Sequence, residues 1–234
     1  RGETCPYPLI CLYNQSVAPS FPRLTPLTES ALLFELGDAI DPILNRRAFA
    51  LAAALRSSGL PGLGEAVPGY ASLLLPYDPD QIDFSTLQNW LHENYTSIQP
   101  LPEAESRIIE LPVRYGGVDG PDLDFVAAHN HLTPAEVIDL HAAPFYPVYF
   151  MGFAPGFPYL GGLDPRIAAP RLPSPRTRVP AGSVGIAGAQ TGVYPLETPG
   201  GWRIIGRTDL LLFDPLRDPP FLLSPGDVIH FTAC

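Results

Sequence analysis

PSPRTRVPAGSVGIAGAQTGVYPLETPGGW, residues 173–202, decides the fold of this chain. No apolar run in it is long enough for a helix, and glycine or proline interrupts every few positions. Such punctuation marks short strands joined by tight turns, with glycine supplying positive φ angles and close backbone approach. Two neighbouring stretches share the texture: GFAPGFPYLGGL at 152–163 and IGRTDLLLFDP at 205–215. Strands are expected at Val148–Phe153, Gly185–Ala187, Val193–Tyr194, Arg203–Ile205, Leu210–Phe213 and Val228–Phe231. Together they read as a closed or nearly closed β-barrel. Two short helices precede it, Pro121 to about Ala128 and Pro134 to about Ala142, and Thr133-Pro134-Ala135-Glu136 forms a capping-box pattern for the second.

Upstream, residues 24–112 read as a separate α+β unit. Ala31–Leu36 is an apolar strand, and Asp41-Pro42 opens a helix carrying Leu44, Ala48, Leu51 and Leu55 at helical spacing, with Gly59 as its stop. Short strands near Val67 and at Leu73–Tyr77 follow, then a helix capped by Asp83, then a strand at Ile108–Val113. That order, β-α-β-β-α-β, is ferredoxin-like. The chain therefore divides into an irregular leader (1–23), an α+β N-terminal domain (24–112) and a β-barrel domain (113–234).

Composition narrows the function. The net charge is −10, which argues against non-specific binding to nucleic acid or anionic membranes. All fourteen basic residues are arginine. Without lysine there is no Schiff base, no lysine general base and no P-loop lysine, so any bound anion must be held by arginine, backbone N–H groups or a metal. Cys5, Cys11 and Cys234 have no metal or disulfide spacing, and the first residues lack the order of a signal peptide, so a cytoplasmic setting is expected. Residues 142–163 are uncharged over a spanning length, but eight of them are Pro or Gly, which breaks a membrane helix.

Several constellations are candidates for chemistry. Arg166, Arg171, Arg176 and Arg178 concentrate positive charge on an acidic chain and suit a carboxylate or phosphate. Tyr149, Phe153, Phe157 and Tyr159 form a pocket wall or barrel core. Ser183 lies in Ala181-Gly182-Ser183-Val184-Gly185, one substitution from a nucleophile elbow. No helix follows it, which excludes a serine hydrolase but leaves a ligand hydrogen bond. Arg207 follows a strand, and Gln190 and Thr191 sit between glycines. His141 lies beside the aromatic segment. His129 and His131 form an isolated pair without metal-site spacing, so no metal is expected.

The words SALLFELGD (30–38), Asn45-Arg46, VPGYASLLLPYDP (67–79), LPVRYGGVDGPDL (111–123), EVIDLHAAPFYPVYFMGFAPGFPYLGGLD (136–164), RVPAGSVGIAGAQTGVYP (178–195), TPGGW, IGRT and LLSPGD together resemble the family of 5-oxoprolinase B subunits, also called allophanate hydrolase subunit 1 or sporulation kinase inhibitor. The resemblance implies that the barrel is cyclophilin-like. It also implies a companion cyclophilin-like subunit, of the type of the 5-oxoprolinase C subunit or allophanate hydrolase subunit 2. A third subunit would complete ATP-dependent opening of 5-oxo-L-proline to L-glutamate. ATP with Mg²⁺ is the implied cofactor, on this chain or a partner, and the chain carries no biotin because it has no lysine. On this reading Arg207 and Gln190 are catalytic, and Arg176, Ser183, Thr191, Tyr149, Phe153, Tyr194 and His141 bind substrate or anion. The alternatives are a module that inhibits a sensor histidine kinase, or part of a urea carboxylase-type carboxyltransferase.

Overall fold

A computed structural model describes residues 20–102 and 106–234. The leader expected at 1–23 lies almost wholly outside the described residues. The first sheet has four antiparallel strands in the order β1-β2-β4-β3: β1 Arg23–Thr28, β2 Ala31–Glu35, β3 Val67–Pro68 and β4 Ser72–Pro76. Alternate residues of β2 and β4 are buried, as a half-covered sheet requires. Helix α1, Pro42–Ser58, presses Ala48, Leu51, Ala52 and Leu55 onto that face. Asp41 caps it, its Oδ1 accepting the Ile43 N–H at 2.6 Å, and Gly59 ends it in the left-handed region. Helix α2, Phe84–Tyr95, begins at Asp83 and adds Leu87 and Leu91 to the same core.

The expected ferredoxin-like order is not what these strands form. The unit reads β-β-α-β-β-α, because Arg23–Thr28 pairs with β2 as a hairpin. The strand β5, Ile108–Tyr115, joins the second sheet instead. It runs parallel to β13, Val228–Ala233, through six residue pairs from Ile108 to Val113.

That second sheet has seven strands in the order β10-β9-β12-β5-β13-β6-β7, with β6 Phe145–Met151, β7 Pro158–Leu160, β9 Ser183–Ala187, β10 Gln190–Val193 and β12 Arg203–Arg207. Its edges, β7 and β10, lie against each other, so the sheet is a nearly closed barrel. Leu111, Val113, Tyr146, Val184, Ile186, Ile205 and Phe231 fill its interior. Helices α3, Leu123–His129, and α4, Pro134–Ala142, cover one side, and the Thr133–Glu136 capping box closes as the sequence implies, with Thr133 N–H donating to Glu136 at 2.7 Å. The expected strand Leu210–Phe213 is absent. Only Phe213 makes a lone bridge, to Phe221, because Leu210 and Leu211 face solvent. An outlying ribbon, β8 Arg176–Val179 with β11 Thr198–Gly200, stands beside the barrel. Among the described residues no helix is long and apolar enough to cross a membrane.

Gly182 joins the ribbon to the barrel. Its φ is +81°, its N–H donates to Tyr194 O at 2.7 Å, and its carbonyl accepts from Thr208 N at 2.9 Å. A Cβ there would collide with the Thr208 carbonyl. Gly182→Ala is expected to cost at least about 1–3 kcal/mol from the backbone conformation alone, measured by urea unfolding. An unchanged midpoint would show that the junction relaxes freely.

Candidate functional site

The sequence-predicted residues fall in four places. The first is a pocket of about 170 Å³ between β9, β12 and the β8 ribbon, which brings together Arg176, Ser183 and Arg207. Arg207 faces Ser183 across the β12–β9 pairing. Its Nε donates to Ala181 O at 3.0 Å, and among the described residues no carboxylate pairs with it. Asp209 is instead held by Arg114, which reaches it at 3.0 Å and also grips Asp119, another lining residue, at 2.9 Å. The hydrogen bond from Arg114 holds the Asp209 carboxyl below its usual range. Arg176 is committed elsewhere: it meets the buried Asp122 at 2.9 Å and donates to Trp202 O. Arg178, also in this wall, pairs with Glu197 at 2.6 Å. Of the three cations here, Arg207 is the one without an anion.

The second place is a larger cleft of about 420 Å³ on the other side of the Arg176 ribbon, containing Phe153 and Tyr194. Tyr194 separates the two pockets, its N–H donating to Ser183 O at 2.9 Å. Burial pushes its phenol pKa up, so it stays neutral.

The third place holds Gln190 and Tyr149, where the barrel meets the N-terminal unit. Gln190 Nε2 donates to the Tyr70 hydroxyl at 2.7 Å, and that hydroxyl donates to Leu160 O at 3.0 Å. Tyr70 also packs on Tyr149, Phe150 and Tyr159. Its position depends on Asn45, whose side chain donates to Gly69 O at 2.8 Å. Gln190 pairs with Ala187 at one end of β9 and Arg207 with Ser183 at the other. Four residues of extended chain separate them by about 13 Å, so they do not form one catalytic pair.

The fourth place is the barrel core. His141 is fully buried and both its ring nitrogens are engaged, Nδ1 with the Tyr115 hydroxyl at 2.7 Å and Nε2 with Thr191 Oγ1 at 2.8 Å. Thr191 donates its own hydroxyl proton to Gly185 O at 3.1 Å, so its oxygen accepts from Nε2–H, and Nδ1 then accepts from Tyr115. This assigns a neutral imidazole, in line with a pKa that burial lowers to about 3. His141 and Thr191 are structural partners of each other and line neither the Arg207 pocket nor the aromatic cleft. Among the described residues no group of three His, Cys, Asp or Glu could hold a metal ion. Sequence reasoning gave no individual role to Asn45, Tyr70, Asp122 or Trp202. Nothing in their local pattern distinguishes them, because each acts through a partner more than 20 positions away.

Two measurements separate structural from functional roles here. Asp122→Ala removes a buried anion from beneath Arg176 and is expected to cost on the order of 3–5 kcal/mol, whereas Arg207→Ala should change stability by less than about 1 kcal/mol. Comparable losses for both would make Arg207 a structural residue. The unfolded chain takes up the His141 proton near pH 6.5 and the folded chain only near pH 3, so acidification favours unfolding. Between pH 6.5 and 4.5 this group should withdraw about 2–3 kcal/mol of stability. His141→Gln should flatten that part of the pH profile, and an unaltered profile would exclude the assigned neutral imidazole.

The chain has relatives among known proteins. Residues 22–223 match the carboxyltransferase domain, subdomain C and D. The chain is 45% identical to the 5-oxoprolinase B subunit of Bacillus subtilis (strain 168), over 89% of this chain and 91% of that protein. It is 46% identical to the 5-oxoprolinase B subunit of Escherichia coli O157:H7, over 87% and 92%. The K. lactis urea amidolyase superposes with a TM-score of 0.78 at 24% identity, over 90% of this chain and 15% of that one, a likeness of fold. With two curated relatives matched along nearly their whole length, the chain belongs to the family of 5-oxoprolinase B subunits, built on the carboxyltransferase domain of subdomains C and D.

Proposed function

We propose that this chain is the B subunit of an ATP-dependent 5-oxoprolinase, which opens 5-oxo-L-proline to L-glutamate only together with its partner subunits. The observation that carries this reading is the near-full-length identity to curated 5-oxoprolinase B subunits. The site geometry agrees with a protein that contributes part of a reaction centre. Opening an unstrained lactam with ATP proceeds most simply by phosphorylating the amide oxygen and then hydrolysing the activated species, which needs cations and N–H donors aimed at phosphoryl oxygens.

The donor set here fits one anionic group and not a nucleotide. The small pocket offers a single uncommitted arginine, the chain has no lysine, and no carboxylate cluster for Mg²⁺ exists among the described residues. Arg207 would therefore steady negative charge that develops beside Ser183, while ATP and its Mg²⁺ rest on a partner. Asp122 acts beneath it as an anchor: by neutralising Arg176 it keeps the ribbon wall in place and leaves Arg207 as the pocket's net positive charge. Gln190 holds the Tyr70 loop against the barrel.

The partners proposed are a companion cyclophilin-like subunit and a third subunit, in the cytoplasm. Docking of the companion near segment 149–163 is supported by Phe153, which is 63% exposed while the segment's other aromatics are buried or half-buried. A kinase-inhibiting module has no feature of the structure in its favour.

Reconstitution tests the whole. The isolated chain should release no glutamate from 5-oxo-L-proline and ATP, and the three-subunit complex should. In that complex Arg207→Ala should lower kcat/KM on the order of 10²-fold with an unchanged Tm. Activity of the isolated chain would refute the dependence on partners, and full activity of the variant would remove Arg207 from the chemistry.

A further inference from the structure

The aromatic cleft beside the ribbon holds a second barrel arginine that has no anion among the described residues. Four arginines fall between residues 166 and 178, and three are neutralised within the chain: Arg166 by Asp164 at 2.6 Å, Arg176 by Asp122 at 2.9 Å and Arg178 by Glu197 at 2.6 Å. Arg171 makes no ion pair and no side-chain hydrogen bond among the described residues. It lines the cleft of about 420 Å³ whose other walls are Phe153, Phe157, Tyr159, Tyr194 and Trp202. No Asp or Glu lines this cleft, although the chain carries 24 of them. In a protein of net charge −10, an unpaired arginine over an acid-free cleft is an anion site by elimination of its neighbours.

The walls specify what the anion is attached to. Phe157 stands edge-on to Tyr194 and to Trp202, with centroids 5.5 Å apart in both pairs. This packing holds the rings as fixed upright panels. Tyr194 can lie flat along β11 because residue 200 is glycine; a Cβ there would strike its ring. Phe153 is held at φ +60°, in the left-handed region that a bulky residue avoids. A tight turn imposes it, with Ala154 N–H donating to Gly152 O at 2.6 Å and Phe157 N–H to Ala154 O at 3.0 Å. The result is an exposed ring edge-on to Phe157 at the cleft rim, a strained placement of the kind found at ligand clamps. The volume lies in the small-molecule range of ~300–1,000 Å³. One cation, with no second positive group among the lining residues, suits a single carboxylate and not a polyphosphate.

We propose that this cleft binds a small ring-bearing carboxylate, its ring between the aromatic panels and its carboxylate on the Arg171 guanidinium. Resting on the reading of the chain as an oxoprolinase component, it is the seat of 5-oxo-L-proline, and Arg171 determines specificity for the acid over the bare lactam. The neighbouring Arg207 pocket, across the Tyr194–Ser183 wall, then lies beside bound substrate.

Trp202 reports on the cleft directly. The chain has two tryptophans, so Trp90→Phe leaves Trp202 as the one indole. In that background 5-oxo-L-proline should change emission saturably. Arg171→Gln should weaken this binding on the order of tenfold to hundredfold, the loss expected for a hydrogen bond to a charged group. 2-Pyrrolidinone, the same ring without the carboxylate, should bind weakly and equally to both. In the reconstituted complex, Arg171→Gln should raise KM for 5-oxo-L-proline by a similar factor and leave kcat within about twofold. Equal affinity of wild type and variant overturns the proposal. If the isolated chain gives no signal, KM decides: a rise supports the site, and an unchanged KM overturns it. A wild-type complex that hydrolyses nothing refutes the oxoprolinase reading instead, and the fluorescence titration then still decides whether the cleft takes ring carboxylates.

Discussion

The buried carboxylate of Asp122 is the contact on which both pockets depend. One oxygen accepts the Ile204 N–H at 2.7 Å and the other accepts from Arg176 at 2.9 Å, so a single side chain joins the start of α3, the barrel strand β12 and the outlying ribbon. A carboxylate this deep is costly unless every lone pair has a partner. Arg203 adds a second positive group at 3.9 Å while lying over the Phe125 ring. The ribbon is the shared wall of the cationic pocket and the aromatic cleft, and its two-stranded pairing alone would be marginal in water.

Electrostatic assignment follows from counting which charges are already used. Nine arginine–carboxylate pairs are formed among the described residues, and of the barrel arginines outside them Arg217 is spent on the carbonyls of Leu211, Leu212, Pro219 and Pro220. Arg171 and Arg207 stand apart on opposite sides of the Tyr194–Ser183 wall. Concentrated positive charge in the sequence was therefore a poor guide by itself; what matters is positive charge left over after internal pairing. The same accounting removes His141, whose two nitrogens are satisfied inside the core and whose charged form burial excludes.

The joint between the two units is aromatic and polar. Tyr70 projects from the β3–β4 turn into Tyr149, Phe150 and Tyr159 of the barrel, and its hydroxyl closes hydrogen bonds with Gln190 and Leu160. Burial of the phenol raises its pKa well beyond neutrality, which keeps it a donor. Asn45, reaching from α1 to Gly69 O, sets the turn that aims it.

Local signals in the sequence determined the helices and most of the strands. Asp41-Pro42, Asp83 and the Thr133–Glu136 box act within four residues of themselves, so caps and helix starts were legible at Pro42, Phe84 and Pro134. Gly and Pro spacing likewise marked the barrel, and its glycine-punctuated words carried the family resemblance. Tertiary structure alone decided the rest, because it turns on partners distant in the chain. Ile108–Tyr115 has the apolar pattern of either sheet, and pairing with Val228–Ala233 assigns it to the barrel. Leu210–Phe213 has strand-like residues, but its pairing with Pro220–Leu222 is limited to one bridge at Phe213, and Leu210 and Leu211 face solvent. Arg176 and Arg171 look alike in sequence; Asp122, 54 positions from Arg176, neutralises one and leaves the other facing an open cleft.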